Sequence, residues 1–304
     1  MKKLFRCLRN FFAIVGVIAT VLVIICVYAK PCFDVNISPN HLFMLGEYMD
    51  TLRASGPYVE DTSSCQIRII QDTARAREIR DDFQLDTLYA PESDTWSKAL
   101  AIGRFVASNI PHDNQWKWPE SVNAIGLWEY TKTVAPAFNC RLHSLLSFEL
   151  FLAAGIDAKY VTCMPEDSLD NDCHVVNEVW LPELGKWAMI DTDNGGNYLS
   201  DMNETPLSLI EIRESYLAGR KMMVHPGFGP GSSKKDSYYA YMVKNTYWFS
   251  CWGELSYYQE DYSVKDVIRD HYYMLVPSGF KPFRVGGGNT VTSDPVPFWA
   301  APQH

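Results

Sequence analysis

The sequence predicts a mixed α+β fold, and three features support that prediction. Apolar residues recur at helical spacing over 140–155 and a short apolar run follows at 158–164. Two further runs, 174–181 and 186–191, flank a Pro-Glu-Leu-Gly turn. A helical period followed by short runs with a turn signal between them is typical of a helix packed on an antiparallel sheet. We therefore predict a central helix, a strand and a hairpin, in that order.

Other helices are predicted on both sides of this central part. The stretch "IIQDTARAREIRDDF" (69–83) has a helical pattern, and so does "TWSKALAIGRFVASNI" (95–110), which Ser93 or Asp94 can cap. After the hairpin, "PLSLIEIRESYLAGR" (206–220) predicts one more helix. The rest of the chain is aromatic-rich and has no repeat or low-complexity tract.

The chain divides into four segments. Residues 1–30 are a membrane anchor or signal peptide, 31–94 an N-terminal extension, 95–205 the core that carries the helix and hairpin, and 206–304 a C-terminal aromatic-rich extension. Such a chain of 304 residues is long enough to bury a sizeable core.

The first segment predicts export. An uncharged apolar run over 11–29 follows four basic residues, which are Lys2, Lys3, Arg6 and Arg9. The basic flank would keep the N-terminus in the cytoplasm and send the remainder outward. The run is just long enough to span a bilayer, yet 27–29 also suits a signal-peptidase site. An uncleaved anchor in the inner membrane and a cleaved signal with a secreted or periplasmic product therefore stay open as alternatives.

Charge and cysteine usage exclude several classes of protein. The formal net charge is −9 and there is no basic stripe, so we expect no nucleic-acid partner. Eight cysteines are present, but no C-x-x-C occurs, which argues against a zinc ribbon and a thioredoxin-type site. We expect neither a metal nor a cofactor. Disulfides are allowed among the exported cysteines.

Cys140 stands where a reactive thiol would be expected. Asn139 suits the N-cap of the central helix, so Cys140 falls in the first turn, where free N–H groups and the helix dipole favour a thiolate. A thiol nucleophile also needs a base and a group that orients the base. His174 opens the first hairpin strand, and either Asp191 or Asp193 could face it. A strict four-residue loop would set His174 opposite Asp193, whereas a bulge or a longer loop would shift the pairing to Asp191.

Three stretches resemble the transglutaminase-like superfamily: "NCRLHSLLSFELFLAAGIDAKYV", "CHVVNEVWL" and "GKWAMID". The family has a Cys that opens a helix ending in Ala-Ala-Gly-Ile, then a strand, His-x-x-x-Glu-Val, Gly-x-Trp and a strand ending in Asp. The resemblance implies a papain-like transglutaminase core, in which a central helix packs on an antiparallel sheet. It implies Cys140 as nucleophile, His174 as base and Asp191 as orienting acid. The chain departs from the family at Asn139, where glycine is common, and at Thr192, where proline is common.

These features predict an exported thiol enzyme that acts on amide bonds through an acyl-thioester, either a peptidase or amidase or an acyltransferase. The C-terminal extension is similar to that of exported bacterial members, so the expected substrate is a peptide, a protein or a peptidoglycan stem. The membrane is a further partner if the N-terminal segment is retained. The alternative is a non-catalytic envelope protein that keeps the fold for binding or scaffolding.

Several neighbouring residues have more than one interpretation. The Cys140 N–H is the expected oxyanion donor, and a side-chain donor could come from Gln115, Trp116 or Trp118, unless the tryptophans pack in the core or line a cleft. We expect His143 to be a hydrogen-bonded structural histidine.

Three further features have structural interpretations that we prefer. Cys173 should have a structural role or form a disulfide. The acidic loop with Asp167, Asp170 and Asp172 should be solvated rather than a calcium site, and the tyrosines of 238–273 should pack in the core rather than bind glycans.

Overall fold

The structure is a computed structural model that describes residues 10, 12–17, 20–21, 41–225, 235–259, 261–283 and 288–303. Most of the predicted export segment, including its basic flank and cleavage site, lies outside the described residues. Within the described residues, no helix has the length and apolar character needed to cross a bilayer. The described residues from His41 onward form one compact unit.

The α-helices of the described residues are as follows: α1 Leu45–Ala54, α2 Thr73–Phe83, α3 Thr95–Asn109, α4 Ala124–Thr133, α5 Cys140–Ala153, α6 Leu209–Ala218, α7 Lys235–Asn245, α8 Val264–Arg269 and α9 Pro295–Phe298. Two short 3₁₀ segments, His41–Met44 and Leu85–Thr87, join them.

The strands of the described residues are as follows: β1 Arg68–Ile69, β2 Ala158–Met164, β3 His174–Leu181, β4 Lys186–Ile190, β5 Tyr198–Ser200, β6 Met223–His225, β7 Trp248–Trp252, β8 Glu254–Leu255, β9 Tyr272–Leu275 and β10 Thr290–Thr292. The predicted α+β class is confirmed.

The main sheet has the order β10-β9-β7-β2-β3-β4. Its neighbours are antiparallel, except that β10 runs parallel to β9. Strand β2 therefore lies in the middle, between the hairpin strand β3 and the later strand β7. Three strands of the main sheet come from the segment after residue 205, and β1 of the N-terminal extension pairs with β8.

Helix α5 is the core of the molecule. Its residues from Leu142 to Ala153 are all buried, against β2 and β3 on one side and against α2, α3 and α4 on the other. The Asn139 Oδ1 accepts a hydrogen bond of 3.1 Å from the Leu142 N–H, as expected for an N-cap. Gly155, with a φ of +76°, follows the end of the helix in the left-handed conformation that glycine adopts most readily. The central-helix prediction is confirmed.

One charged residue, Glu149, is buried in α5. Its carboxylate accepts hydrogen bonds from the backbone N–H groups of Ala124, at the start of α4, and of Tyr258, at 2.8 and 2.7 Å. Burial raises the pKa of Glu149 to about 7, although the two N–H donors act in the opposite direction. This carboxylate ties the central helix to two segments that are distant in the sequence.

The flanking helices largely follow their capping signals. Asp94 caps α3 by accepting from the Ser97 N–H, and Ser208 and Glu211 form a capping box at α6. Helix α4 was not predicted, because its sequence "AIGLWEYTKT" is rich in residues of weak helix propensity. Its first N–H is instead bound by Glu149, a contact that no local pattern reveals.

Candidate active site

Cys140 is the first residue of α5, and its half-buried thiol lies at the N-terminal end of that helix. The N-terminal half of α5 is fixed to the sheet, since the Ser144 Oγ donates to the Val175 carbonyl at 2.9 Å and the Asn177 side chain donates to the Ser144 carbonyl at 2.9 Å. These bonds place the start of α5 beside the start of β3. Cys140 is thereby brought next to His174.

His174 and Asp191 form a buried hydrogen-bonded pair. The His174 Nε2 lies 2.6 Å from the Asp191 Oδ2, and both side chains are almost completely buried. Asn194 supports the same carboxylate, with its backbone N–H at 3.1 Å from Oδ1 and its side-chain amide at 3.2 Å from Oδ2. Because Asp191 occupies Nε2, the ring nitrogen Nδ1 is left for Cys140.

The hairpin register is not the one that was expected to bring Asp191 to His174. Glu178 pairs with Met189 across a tight turn, and counting on from there sets His174 opposite residue 193, without a bulge. The suggestion that a bulge or a longer loop brings Asp191 to His174 is therefore wrong. Residues 176 and 191 are opposite in that count, so Asp191 is the diagonal neighbour of His174 on one face of the sheet, and such neighbours are within reach of each other.

The surroundings of His174 favour its charged form. Burial would lower its pKa, but the Asp191 carboxylate and a side-chain hydrogen bond with Cys140 raise the pKa of His174 well above its ordinary value. In turn, burial would raise the pKa of Asp191, but His174 and Asn194 hold it below the usual range. An imidazolium between a carboxylate and a thiol is the electrostatic arrangement that stabilises a thiolate.

Asp193 belongs to a second histidine pair. Its carboxylate, with only 4% of the side chain exposed, lies 2.7 Å from the Nδ1 of His112, which is 52% exposed. It also lies 3.7 Å from the Nε2 of the fully buried His143. The hydrogen bond from Asp193 raises the pKa of His112, whereas burial lowers the pKa of His143. His143 is completely buried, as a structural histidine would be, but the expected hydrogen bond is absent, since neither of its ring nitrogens has a hydrogen-bond partner among the described residues.

The sequence reasoning missed His112. This residue precedes the nucleophile by 28 positions, and its backbone lies beside Phe138, because the Asp113 N–H donates to the Phe138 carbonyl and the Phe138 N–H to the Pro111 carbonyl. The histidine in "IPHDN" follows directly on the end of α3. The place of His112 just after α3 was the available signal. Loop counting in the hairpin had placed Asp193 near His174, but no local pattern pointed to its pairing with His112.

Gln115 holds the loop that leads into Cys140. Its side-chain amide donates to the carbonyls of Asp113 and Ala137, at 3.2 and 3.0 Å, and its Oε1 accepts from the Asn139 N–H at 3.2 Å. Both amide hydrogens are engaged, so Gln115 supports the loop and has none free for an oxyanion.

The two candidate tryptophans do not pack in the core. Trp116 is 78% exposed and Trp118 is 49% exposed. The Cys140 N–H donates no hydrogen bond to another described residue, and it remains the natural oxyanion donor.

Tyrosines of α7 cover the buried pair from the opposite side. The ring of Tyr241 meets that of His174 edge to face, with centroids 5.2 Å apart, and its hydroxyl donates to the Cys173 carbonyl at 3.0 Å. Tyr238 is buried near Asp191, which helps to raise its pKa after the larger effect of burial. The preference for packing over glycan binding is confirmed for these two tyrosines, although they pack around the candidate site.

The acidic loop before His174 is joined to the same helix. The Lys244 ammonium lies 2.7 Å from the Asp170 carboxylate and 2.8 Å from the Asp172 carboxylate. The loop is partly solvated, as expected, because the Asp170 and Asp172 side chains remain 32% and 42% exposed, but their ion pairs with Lys244 were not predicted. Cys173, which follows them, carries a free thiol, so its expected disulfide is absent. The other described cysteines from Cys65 to Cys251 are free as well.

Three of these side chains could in principle hold a metal ion. Among the described residues, ligand atoms of His174, Asp191 and Asp193 lie within 4.8 Å of one another. His174 and Asp191 are hydrogen-bonded to each other, however, and Asp193 is bonded to His112. The ligand atoms that a metal ion would need are therefore engaged in hydrogen bonds.

Comparisons with known proteins point to a family. Residues 84–192 match the family described as the Transglutaminase-like superfamily. A solved structure described as a "Putative Cysteine Protease from Cytophaga hutchinsonii" is 18% identical, with a TM-score of 0.33, over 51% of this chain and 53% of that one. Another, a "putative protease from Parabacteroides distasonis", is 11% identical, with a TM-score of 0.27, over 49% and 26%. No curated protein shows significant similarity.

Proposed function

We propose that the protein is a thiol enzyme that acts on amide bonds through an acyl-thioester, as the match of residues 84–192 to the transglutaminase-like superfamily suggests. The observation that carries the proposal is the meeting of Cys140, at the start of α5, with the buried pair of His174 and Asp191. Family and geometry together support a cysteine nucleophile in general. The roles of the three residues and the acceptor of the acyl group are parts of the proposal.

The proposed reaction follows from the positions of the donors. His174 takes the proton of the Cys140 thiol on Nδ1, and the thiolate attacks the carbonyl carbon of the amide. The C–N bond then breaks, the amine leaves with the proton from His174, and the acyl group stays on sulfur as a thioester. Asp191 holds the imidazole by Nε2 and stabilises its charged form. The Cys140 N–H is placed to donate to the developing oxyanion.

The thioester is then resolved by water or by an amine. Water would give a peptidase or amidase, and an amine would give a cross-linked product. We favour hydrolysis of a peptide, a protein or a peptidoglycan stem over cross-linking, in keeping with the export that the sequence predicts. The proposal includes export through the first segment, so that the core faces outward, anchored or released.

The function can be tested with a panel of peptides, peptidoglycan fragments and amine donors, with products followed by mass spectrometry. We expect gain of water or of the amine in the product, and loss of that activity in Cys140→Ala. Cys65→Ala is the matched control, since it removes a thiol elsewhere in the fold.

Two further outcomes are informative. Turnover that survives in Cys140→Ala would contradict the proposed nucleophile, and the absence of any Cys140-dependent reaction would favour the non-catalytic envelope protein. Protease added to spheroplasts tests export, because a core that stays protected would show that it lies inside.

A further inference from the structure

Arg141, the residue after the candidate nucleophile, is a cation without an acidic partner. Its guanidinium lies over the ring of Trp252, 5.3 Å from the ring centroid, and its Nη1 is buried without a hydrogen-bond partner. It makes no ion pair with any described residue. Leaving a buried charged donor unpaired costs free energy in the free protein.

A second buried arginine of the described residues, Arg213, also lies over an aromatic ring and makes no ion pair, but its guanidinium donates to the Ser55 Oγ at 2.8 Å. Two lysines whose side chains are more deeply buried than that of Arg141 both have carboxylate partners. The ammonium of Lys159 lies 3.5 Å from Glu178, and that of Lys244 lies 2.7 Å from Asp170. The position of Arg141 adds a second unfavourable feature, because the positive end of a helix dipole disfavours a cation. An anion bound beside Arg141 would relieve both.

Arg141 lies near Cys173, the residue that precedes His174. Burial and the Cys140 thiol raise the pKa of Cys173, and the charge of Arg141 acts in the opposite direction. The charge of Arg141 also acts on the hydroxyls of Tyr160 and Tyr272, where it opposes the rise in pKa that burial causes. A planar guanidinium that rests on an aromatic ring keeps its hydrogen-bonding edge in a fixed direction, and that edge matches a carboxylate.

We propose that Arg141 binds a carboxylate of the substrate close to the amide that Cys140 attacks. This inference rests on the proposed function and narrows its substrates to acidic peptides. The carboxylate can come from an acidic side chain or from a free chain terminus. Cys140 supplies the chemistry, and Arg141 positions the substrate.

A pair of alkylating reagents tests the charge preference without any knowledge of the substrate. Iodoacetate and iodoacetamide differ in carrying a carboxylate or an amide, and modification of Cys140 in the full-length protein is followed by peptide mass spectrometry. We expect Arg141→Gln to lower the ratio of the iodoacetate rate to the iodoacetamide rate by about fivefold or more. Arg77→Gln, an exposed arginine on α2, is the matched control and should leave the ratio unchanged.

An unchanged ratio in Arg141→Gln would overturn the inference and leave the proposed function standing. A folded wild-type protein whose Cys140 reacts with neither reagent would contradict the proposed function, and the inference would fall with it. If Arg141→Gln does not fold, the wild-type ratio is measured against salt. The preference should then weaken as salt screens the charge, and a ratio insensitive to salt would overturn the inference.

Four matched peptides distinguish the source of the carboxylate. They carry Glu or Gln beside the scissile amide, each with a free or an amidated C-terminus. Arg141→Gln should lower kcat/KM by about 10- to 100-fold only for peptides with the recognised carboxylate. An equal loss for all four would show that Arg141 supports the fold or the nucleophile, which contradicts substrate recognition.

Discussion

The orienting role of Asp191 can be tested by exchanging one oxygen for nitrogen. In Asp191→Asn the side-chain amide would donate to the His174 Nε2, which now lies 2.6 Å from the carboxylate. The ring proton would then sit on Nδ1, and that nitrogen could no longer accept the proton of Cys140. Loss of an orienting acid in a comparable triad costs about 10⁴ in kcat. We expect a fall in kcat of about 10³- to 10⁴-fold, or about 4 to 5.5 kcal/mol, with little change in substrate binding.

The matched control is Asp193→Asn. Asp193 is another buried carboxylate two residues away, but its short hydrogen bond goes to His112. We expect kcat to change by less than about threefold, because His174 keeps its own partner. Steady-state kinetics with the best substrate of the panel decides between the two. A larger loss in Asp193→Asn than in Asp191→Asn would refute the assignment.

The same pair gives a pH-dependent stability that can be measured separately. Because folding raises the pKa of His174, the protonated ring stabilises the folded protein. This stabilisation is complete below the pKa of an unfolded histidine, about 6.5, and is lost as the pH rises through the higher pKa of the folded state. The lowered pKa of Asp191 contributes stability above its unfolded value of about 3.9, and this is lost as the pH falls through the folded pKa. Urea unfolding should show the largest deficit of Asp191→Asn between about pH 4 and 6.5. A deficit that is constant from acid to alkaline pH would contradict this linkage.

Two other substitutions have expected results. Gln115→Ala removes the acceptor of the Asn139 N–H. It should lower kcat, and it should lower the free energy of unfolding by about 1 to 2 kcal/mol, as measured by urea unfolding. An unchanged kcat would contradict the role of Gln115 in holding the loop before Cys140. Lys244→Met leaves Asp170 and Asp172 unpaired and should cost about 1 to 2 kcal/mol near neutral pH. Because Lys244 lowers the pKa of Asp170 against the effect of burial, that cost should shrink as the pH falls below about 4, and a cost that grows in acid would refute the ion pairs.

The sequence predicted best what short-range patterns determine. The apolar spacing over 142–152 and the capping residue Asn139 are local signals, so α5 and the place of Cys140 at its start could be derived from them. The turn signal between the two apolar runs also predicted the hairpin, and with it the two acids that could lie near His174. The choice between two acids was made from the family pattern, since loop counting alone favoured Asp193.

The contacts that were missed join distant parts of the chain. His112 and Asp193 are 81 positions apart, and Tyr241 and Cys173 are 68 apart. No periodicity relates such residues, because their meeting depends on how the helices pack around the sheet. The exposed position of Trp116 was likewise unpredictable, since aromatic residues are usually buried when a large core is available.

The place of β7 beside β2 has a consequence for the order of folding. Cys140, His174 and Asp191 are all synthesised before residue 192, but β2 finds its second neighbour only when residues 248–252 emerge from the ribosome. Until then β2 presents an unpaired edge, and α7, which covers His174, is also incomplete. A chain cut after residue 205 would contain every proposed reacting group and yet expose the middle of its sheet. Activity should therefore appear only after the C-terminal strands have joined, so that the nucleophile is assembled late.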